Sequence, residues 1–296
     1  MAVQAPSVPT TWDEAWRTAF ERCARPYADN VAPILAALAE GAIEAAGLLT
    51  GMKALDVACG PGLATGLAKL RVGRPGSVVG IDTSTTMAGM ASAAAHRTAG
   101  ADRPGFAVAD AVHCPFRDAT FDAVLSMFGM PLTNEGSDFA EALRILRPGG
   151  TLSIVHFGPS MVEPFFDVSR LVRRFRTDNP SPFLAAYRAL SEANEREFHK
   201  RRTPEHFSAF AATAGFEDVS VKTAAVRQRL WGITNFLDFC LSFPLNHLEH
   251  EEMAPAQRDL LVTVAQEELA GRMDLEEFIA LAQLILLSAR KPKKAV

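Results

Sequence analysis

With 296 residues, 48% of them hydrophobic and 22% charged, the chain is long enough to bury a full core and is expected to hold one large domain, or one domain plus a lid. A net charge of −4 and an isoelectric point near 6.0 exclude the basic face that nucleic-acid phosphates require, so the expected partner is a small molecule and not a nucleic acid. Residues 1–10 lack the charged start and apolar core of a signal peptide, and no apolar run approaches the roughly 20 residues of a membrane span; a cytoplasmic monomer or homodimer without membrane insertion is expected.

Between Trp12 and Leu48, Trp16, Phe20, Tyr27, Val31, Ile34, Leu35 and Leu38 recur at turn spacings, which predicts helices broken near Pro26 and Pro33. Ala54, Leu55, Val57 and Ala58 then form an apolar run too short for a helix and closed by Gly60, Pro61 and Gly62, which predicts a buried parallel strand. Asp56 is out of place in such a strand. A buried carboxylate is costly without a partner, and α/β sheets bind ligands at the C-terminal ends of their strands. Asp56 is therefore read as a ligand contact, with Gly60 and Gly62 letting the backbone pass close to the bound molecule.

Leu63–Leu70 predicts a short helix and Val78–Ile81 a second strand ending in Asp82, twenty residues beyond Gly62. At that spacing nucleotide-binding sheets set an acid against ribose hydroxyls, and a carboxylate can accept both hydrogen bonds of a vicinal diol. The helix Ser84–Ala95 would be capped by Asp82, Thr83 or Ser84. A third strand, Phe106–Ala109, closes on Asp110, and a fourth runs over Phe121–Met127. Glu141–Leu146 predicts a helix, Thr151–Phe157 a fifth strand with His156 near its end, Thr203–Ala214 a helix closed by Gly215, Phe216–Val226 a strand, and Gln283–Ala289 the last one.

The dinucleotide fingerprint G-x-G-x-x-G would need a glycine where Thr65 stands, and no Walker lysine follows the turn. With Asp56, Gly60 and Gly62 in LDVACGPG, Asp82 after the second strand, Asp110 in ADAVHCPF and LRPGG before the fifth strand, the chain resembles the class I S-adenosylmethionine (SAM)-dependent methyltransferases. Within them it is similar to the ubiquinone/menaquinone-biosynthesis type of small-molecule enzyme, with Ala58 at the first glycine position of the motif. The resemblance implies an α/β, Rossmann-like fold: a seven-stranded, mostly parallel sheet with an antiparallel last strand, helices on both faces and helical lid insertions. It implies SAM as cofactor, held by Asp56, Ala58, Gly60, Gly62, Asp82, Thr83, Met87, Asp110, Ala111 and Phe128. Of these, Asp110 and the backbone after it would meet the adenine, and Phe128 would line the donor pocket. It also implies that Tyr27, in RPYAD, covers the donor methyl.

The domain plan follows. Residues 1–50 would be N-terminal helices covering the site, 51–158 the cofactor-binding core, 159–202 a first helical lid insertion, 203–229 a core helix and strand, 230–274 a second lid insertion, and 275–296 the closing strand and tail. The two insertions carry Phe165, Phe166, Phe175, Phe183, Phe198, Phe236, Phe239 and Phe243, which would serve mainly as packing and in part as an apolar acceptor pocket.

Methyl transfer from a sulfonium is an in-line displacement in which charge disperses, so orientation and desolvation matter more than a strong base. His156, at the pocket end of its strand, is the first candidate for proton removal from the acceptor, and Tyr27 the second catalytic candidate. His113 is read as non-catalytic. His247, Glu249 and His250 are read as a solvated face and not a metal clip, and no metal is expected. Cys23, Cys59, Cys114 and Cys240 contain no Cys-x-x-Cys pair and are read as reduced thiols. The function expected is methyl transfer to a small, largely apolar metabolite. A SAM-binding catalyst of cyclisation or rearrangement is the alternative, and a nicotinamide oxidoreductase is disfavoured by the missing third glycine.

Overall fold

In the computed structural model, which describes residues 7–36, 38–98, 102–130, 136–161, 165–230, 232–270 and 278–293, one sheet contains β1 (Lys53–Val57), β2 (Ser77–Asp82), β3 (Gly105–Val108), β4 (Phe121–Met127), β5 (Leu146–Met161), β6 (Glu217–Leu230) and β7 (Phe278–Arg290). Their order is β3-β2-β1-β4-β5-β7-β6. The sheet is mostly parallel with the last strands antiparallel, in the Rossmann-like arrangement. β1 pairs in parallel with β2 on one side and β4 on the other, so the strand order reverses there. The C-terminal side of such a reversal, here between β1 and β4, is the place where doubly wound sheets take ligands.

Alternation along β1 decides what each residue meets. Leu55 and Val57 point into a cluster with Phe139, Ala142 and Ile145 of α6 (Ser137–Ile145) and Phe207 and Ala211 of α9 (Pro204–Ala214). Ala54 faces the opposite side, against α3 (Ala39–Ala45) and Ala64, Ala68 and Val72 of α4 (Leu63–Val72). Asp56 shares the face of Ala54, which brings a carboxylate under α4. The expected strands are present. β5 is longer than expected because it takes in LRPGG, and α6 begins at Ser137 rather than Glu141, since Phe139 extends its buried face with Ala142 and Ile145.

The chain divides into two compact units. The sheet unit comprises residues 32–159, 201–225 and 283–296 and also holds α2 (Ala32–Ala36) and α5 (Thr85–Thr98). The other unit, residues 1–31, 160–200 and 226–282, is built mainly from α1 (Trp12–Pro26), a π-helical turn (Tyr27–Val31), α7 (Phe165–Phe175), α8 (Pro182–Arg201), α10 (Gly232–Leu241), α11 (Pro244–Glu252) and α12 (Pro255–Ala270). The N-terminal stretch is thus shared between the units. The boundary expected at residue 274 and the side chains of Phe166 and Phe198 lie outside the described residues.

Within the helical unit, Ala15 and Ala19 of α1 let Phe183, Leu184 and Tyr187 of α8 and Leu248 of α11 pack closely. Glu249, 1% exposed, meets Arg188 through two hydrogen bonds of 2.7 and 2.6 Å, the bidentate pairing that makes a buried ion pair tolerable. Thr11 and Glu14 form a capping box at the start of α1.

Gly62, at φ +84°, starts α4. A Cβ there would stand 2.8 Å from Ala91 Cβ and 2.9 Å from the Phe106 ring, so the protein itself requires this glycine to seat the turn against α5 and β3. A left-handed non-glycine residue costs roughly 1–2 kcal/mol and overpacking adds a similar amount. Gly62→Ala is therefore expected to lower stability by about 2–4 kcal/mol, read as a reduced urea midpoint at unchanged m-value.

Candidate functional site

Three acids converge at the C-terminal edge. Asp56 is wholly buried; Thr65 Oγ1, from the first turn of α4, donates to its Oδ2 at 2.6 Å, while Oδ1 has no hydrogen-bond partner. Burial pushes the Asp56 pKa up to about 7, with the hydrogen bond from Thr65 opposing the rise and the charge of Asp82 adding to it. Asp82, at the end of β2, accepts the Gly60 N–H at 2.8 Å on Oδ2 and the Ser84 N–H at 2.9 Å on Oδ1. The acid of the second strand is thereby tied to the glycine turn of the first. Ser84 caps α5, its Oγ accepting from the Met87 N–H at 3.0 Å, with Thr83 exposed and Met87 buried. Asp110 closes an Asx turn, accepting the Val112 N–H at 3.1 Å, and Ala111 is buried in the core.

The turns after β1 and β4 interlock. Ala58 and Phe128 both adopt left-handed backbone, at φ +56° and +60°. The buried Ser126 hydroxyl donates to Val57 O at 3.0 Å and accepts the Met130 N–H at 3.0 Å, holding the two turns together. Gly129 completes the fit: a Cβ on it would lie 2.5 Å from Ala58 Cβ. Phe128 stacks near Phe157 with ring centroids 4.4 Å apart and lies 6.5 Å from the His156 ring.

His156 is 4% exposed and packed against Phe207 at 5.9 Å. Its Nδ1 lies 3.0 Å from Phe157 O, and because a carbonyl only accepts, the proton sits on Nδ1 and Nε2 is the acceptor. Burial, aided by the charge of Arg202, pushes its pKa down to about 3, so the ring is neutral at physiological pH.

Tyr27 belongs to the helical unit, where it opens the π-helical turn and meets Phe20 and Phe243 edge-on at 5.5 and 6.0 Å. His113 is exposed. Glu249 is committed to Arg188, and no group of metal-binding side chains occurs among the described residues. All four cysteines are buried free thiols, and burial pushes Cys59 well above its ordinary pKa, which leaves it unsuited to nucleophilic attack. Among the described residues no helix is long and apolar enough to cross a membrane.

Comparison with known proteins agrees with this geometry. Residues 54–150 match the family described as a methyltransferase domain. The chain is 29% identical over 257 residues to erythromycin 3''-O-methyltransferase of Saccharopolyspora erythraea, covering 86% of this chain and 77% of that one. It is 32% identical over 183 residues to the ubiquinone/menaquinone biosynthesis C-methyltransferase UbiE of Xylella fastidiosa, covering 57% and 67%. The chain is a class I SAM-dependent methyltransferase. The [4+2]-cyclase SpnF shares the fold, with a TM-score of 0.55 at 18% identity over 98% of each chain.

The methyltransferase uses S-adenosyl-L-methionine, and its cradle fits that molecule by its own chemistry. The buried, partnerless Asp56 Oδ1 lacks a donor that an ammonium group would supply. The position of a Cβ on Gly60 meets nothing within 4 Å, so the turn has an open side. Reasoning from the sequence missed Thr65, Ser126 and Arg202, and for Gly129 it missed the close fit against Ala58. Only for Thr65 was there a signal, a hydroxyl where the dinucleotide pattern has glycine.

Two outcomes follow for the methyltransferase. Gly129→Ala should cost about 1–3 kcal/mol through overpacking, and adding Ala58→Gly should return at least about 1 kcal/mol of it, a coupling measured by a double-mutant cycle in urea. For pH, a carboxyl whose folded pKa is raised stabilises fully below its unfolded value, and that contribution is lost as pH rises to the folded value, here between 3.8 and about 7. Asp56→Asn without cofactor should therefore gain stability over wild type between pH 5 and pH 8, by on the order of a few kcal/mol, read as melting temperature against pH. The depressed His156 acts oppositely, losing stability as pH falls from 6.5 towards 3, in both proteins alike.

Proposed function

We propose that this enzyme transfers the methyl group of SAM to a small, largely apolar metabolite. The observation that carries the reading is the hydrogen bond from the Gly60 N–H to Asp82 Oδ2, which joins the two strand-end motifs into one cradle at the reversal of strand order. Asp82 would take the ribose hydroxyls and Asp110, with the backbone at Ala111, the adenine. Asp56 would take the methionyl end, and Ala58, Gly60, Gly62, Thr83, Met87 and Phe128 would complete the surround. When bound, SAM supplies an electrophilic methyl on a sulfonium.

The small-molecule acceptor is supported by the relatives, whose names describe methylation in erythromycin and in ubiquinone or menaquinone biosynthesis. An apolar acceptor is supported by the aromatic group of the helical unit, in which Phe165 and Phe239 each lie 5.1 Å from Phe243, itself beside Tyr27. Acceptor recognition is assigned to the helical segments 159–202 and 230–274, and cofactor binding to residues 51–158. His156 would accept a hydrogen bond from the acceptor at Nε2. With so weak a basicity it would orient and relay the proton and not store it. Tyr27 would contribute an aromatic face suited to a sulfonium.

Calorimetry with S-adenosylhomocysteine and product mass spectrometry test the reading together. Wild type should bind in the micromolar range and add one methyl group to its acceptor, whereas Asp82→Ala should lose about tenfold or more in affinity, a ribose-diol contact being a charge-assisted pair of roughly 1.5–3 kcal/mol. His156→Gln should keep that affinity and slow turnover. Undiminished binding in Asp82→Ala would refute the cradle, and a product isomeric with its substrate would indicate cyclisation or rearrangement instead.

A further inference from the structure

We propose that Thr65 is a positioning residue of the cradle, holding one carboxylate oxygen of Asp56 so that the other is the acceptor for the ammonium group of the cofactor's amino-acid portion. The proposal rests on the reading of this turn as the SAM cradle. Thr65 and Asp56 are both 0% exposed, and their 2.6 Å contact is in the range of a charge-assisted O–H···O⁻ hydrogen bond. A carboxylate with one oxygen satisfied and the other sealed from water without a partner is an incomplete site, because a buried acceptor left unmade costs about 1–3 kcal/mol.

The surroundings leave that completion to a ligand. On β2 the residue paired with Asp56 is Gly80, and on β4 it is Leu125, so neither neighbouring strand offers a donor side chain at that level. α4 presents Thr65. One turn further on, Lys69 is committed to Gly73 O at 2.7 Å, Gly76 O at 3.0 Å and Asp102 at 2.8 Å. The titratable groups facing Asp56 are Asp82 from the end of β2 and Cys59 from the turn, and neither brings positive charge. With no cation in place the carboxyl keeps a proton more readily than an ordinary aspartate, and that proton belongs on Oδ1, since Oδ2 accepts from Thr65. An incoming ammonium takes the same position: the Oδ1–H bond breaks, the electron pair stays on the carboxylate, the proton leaves to solvent and the ammonium keeps its own three. Binding is thus expected to release a proton, and Thr65 to set the pH at which it does so.

The experiment compares two probes on wild type, Thr65→Val, Thr65→Ser and Asp56→Asn. S-adenosylhomocysteine carries the amino-acid portion, and 5′-methylthioadenosine has the nucleoside without it. For wild type, the calorimetric enthalpy of homocysteine-probe binding near pH 6 should depend on buffer ionisation enthalpy, reporting proton release. Thr65→Val should weaken S-adenosylhomocysteine at pH 7 by about tenfold and move the rise of affinity with pH upward by about one unit. Thr65→Ser should restore both, and Asp56→Asn should abolish proton release. Affinity for 5′-methylthioadenosine should stay within about twofold in all four, which also shows that the variants are folded. Equal losses for both probes, or proton release unchanged in Asp56→Asn, would overturn the role of Thr65 and Asp56. No binding of either probe by wild type would overturn the cradle itself.

Discussion

The double parallel pairing of β1, with β2 on one side and β4 on the other, is the constraint on which the site depends. It buries β1 on both faces and both edges, so that any polar side chain in it must find a partner inside the protein. It also brings the ends of three strands to one level. Val57 lies opposite Ile81, and Asp82 opposite Val108, so the turns that leave β1 and β2 and the stretch that leaves β3 begin side by side. The ladder continues past the strands through Cys59 N–H to Ile81 O and Ala109 N–H to Asp82 O, each 3.0 Å, which holds these exits rigidly to the sheet. Three carboxylates at one edge are the chemical result.

Rigidity is also what allows strain there. Ala58 and Phe128 hold left-handed backbone that costs an ordinary residue roughly 1–2 kcal/mol each. Both are next to Ser126, whose single hydroxyl serves Val57 and Met130 at once. The alanine at the first glycine position of the motif is tolerated because the partner turn supplies Gly129 opposite it. The deficiency of one turn in glycine is offset by the other, 71 residues away along the chain.

Charge is handled differently in the two units. In the helical unit the buried Glu249 is neutralised by Arg188 in bidentate geometry and contributes to packing. In the sheet unit the buried Asp56 is hydrogen-bonded by the uncharged Thr65 hydroxyl, and the charge beside it, Asp82, is of its own sign. His156 is likewise buried, and the nearby cation of Arg202 disfavours its protonation further.

Local chemistry was sufficient for much of this. The apolar run 54–58 with its acid, the glycine turn, the acids at 82 and 110 and the succession of strands along the chain were legible because strand burial, turn residues and the spacing of a βαβ unit are written in short stretches of chain. The roles of Thr65, Ser126 and Gly129 were not, since each acts through an atom that another element supplies: Asp56 of β1, Val57 of the neighbouring strand, Ala58 of the partner turn. Gly62 was legible as a turn glycine, yet the tertiary structure gave it its reason, the side chains of Ala91 and Phe106. His156 was legible as a pocket-edge residue, but only burial decided that it is a neutral, weak base with its proton on Nδ1. The sequence alone determined the fold class, through backbone pattern and local turns, and the methyl donor, through the resemblance its motifs carry to the class I methyltransferases. Tertiary structure decided the protonation, the strain and the mutual support of the turns, because those depend on which distant atoms share a water-excluded space.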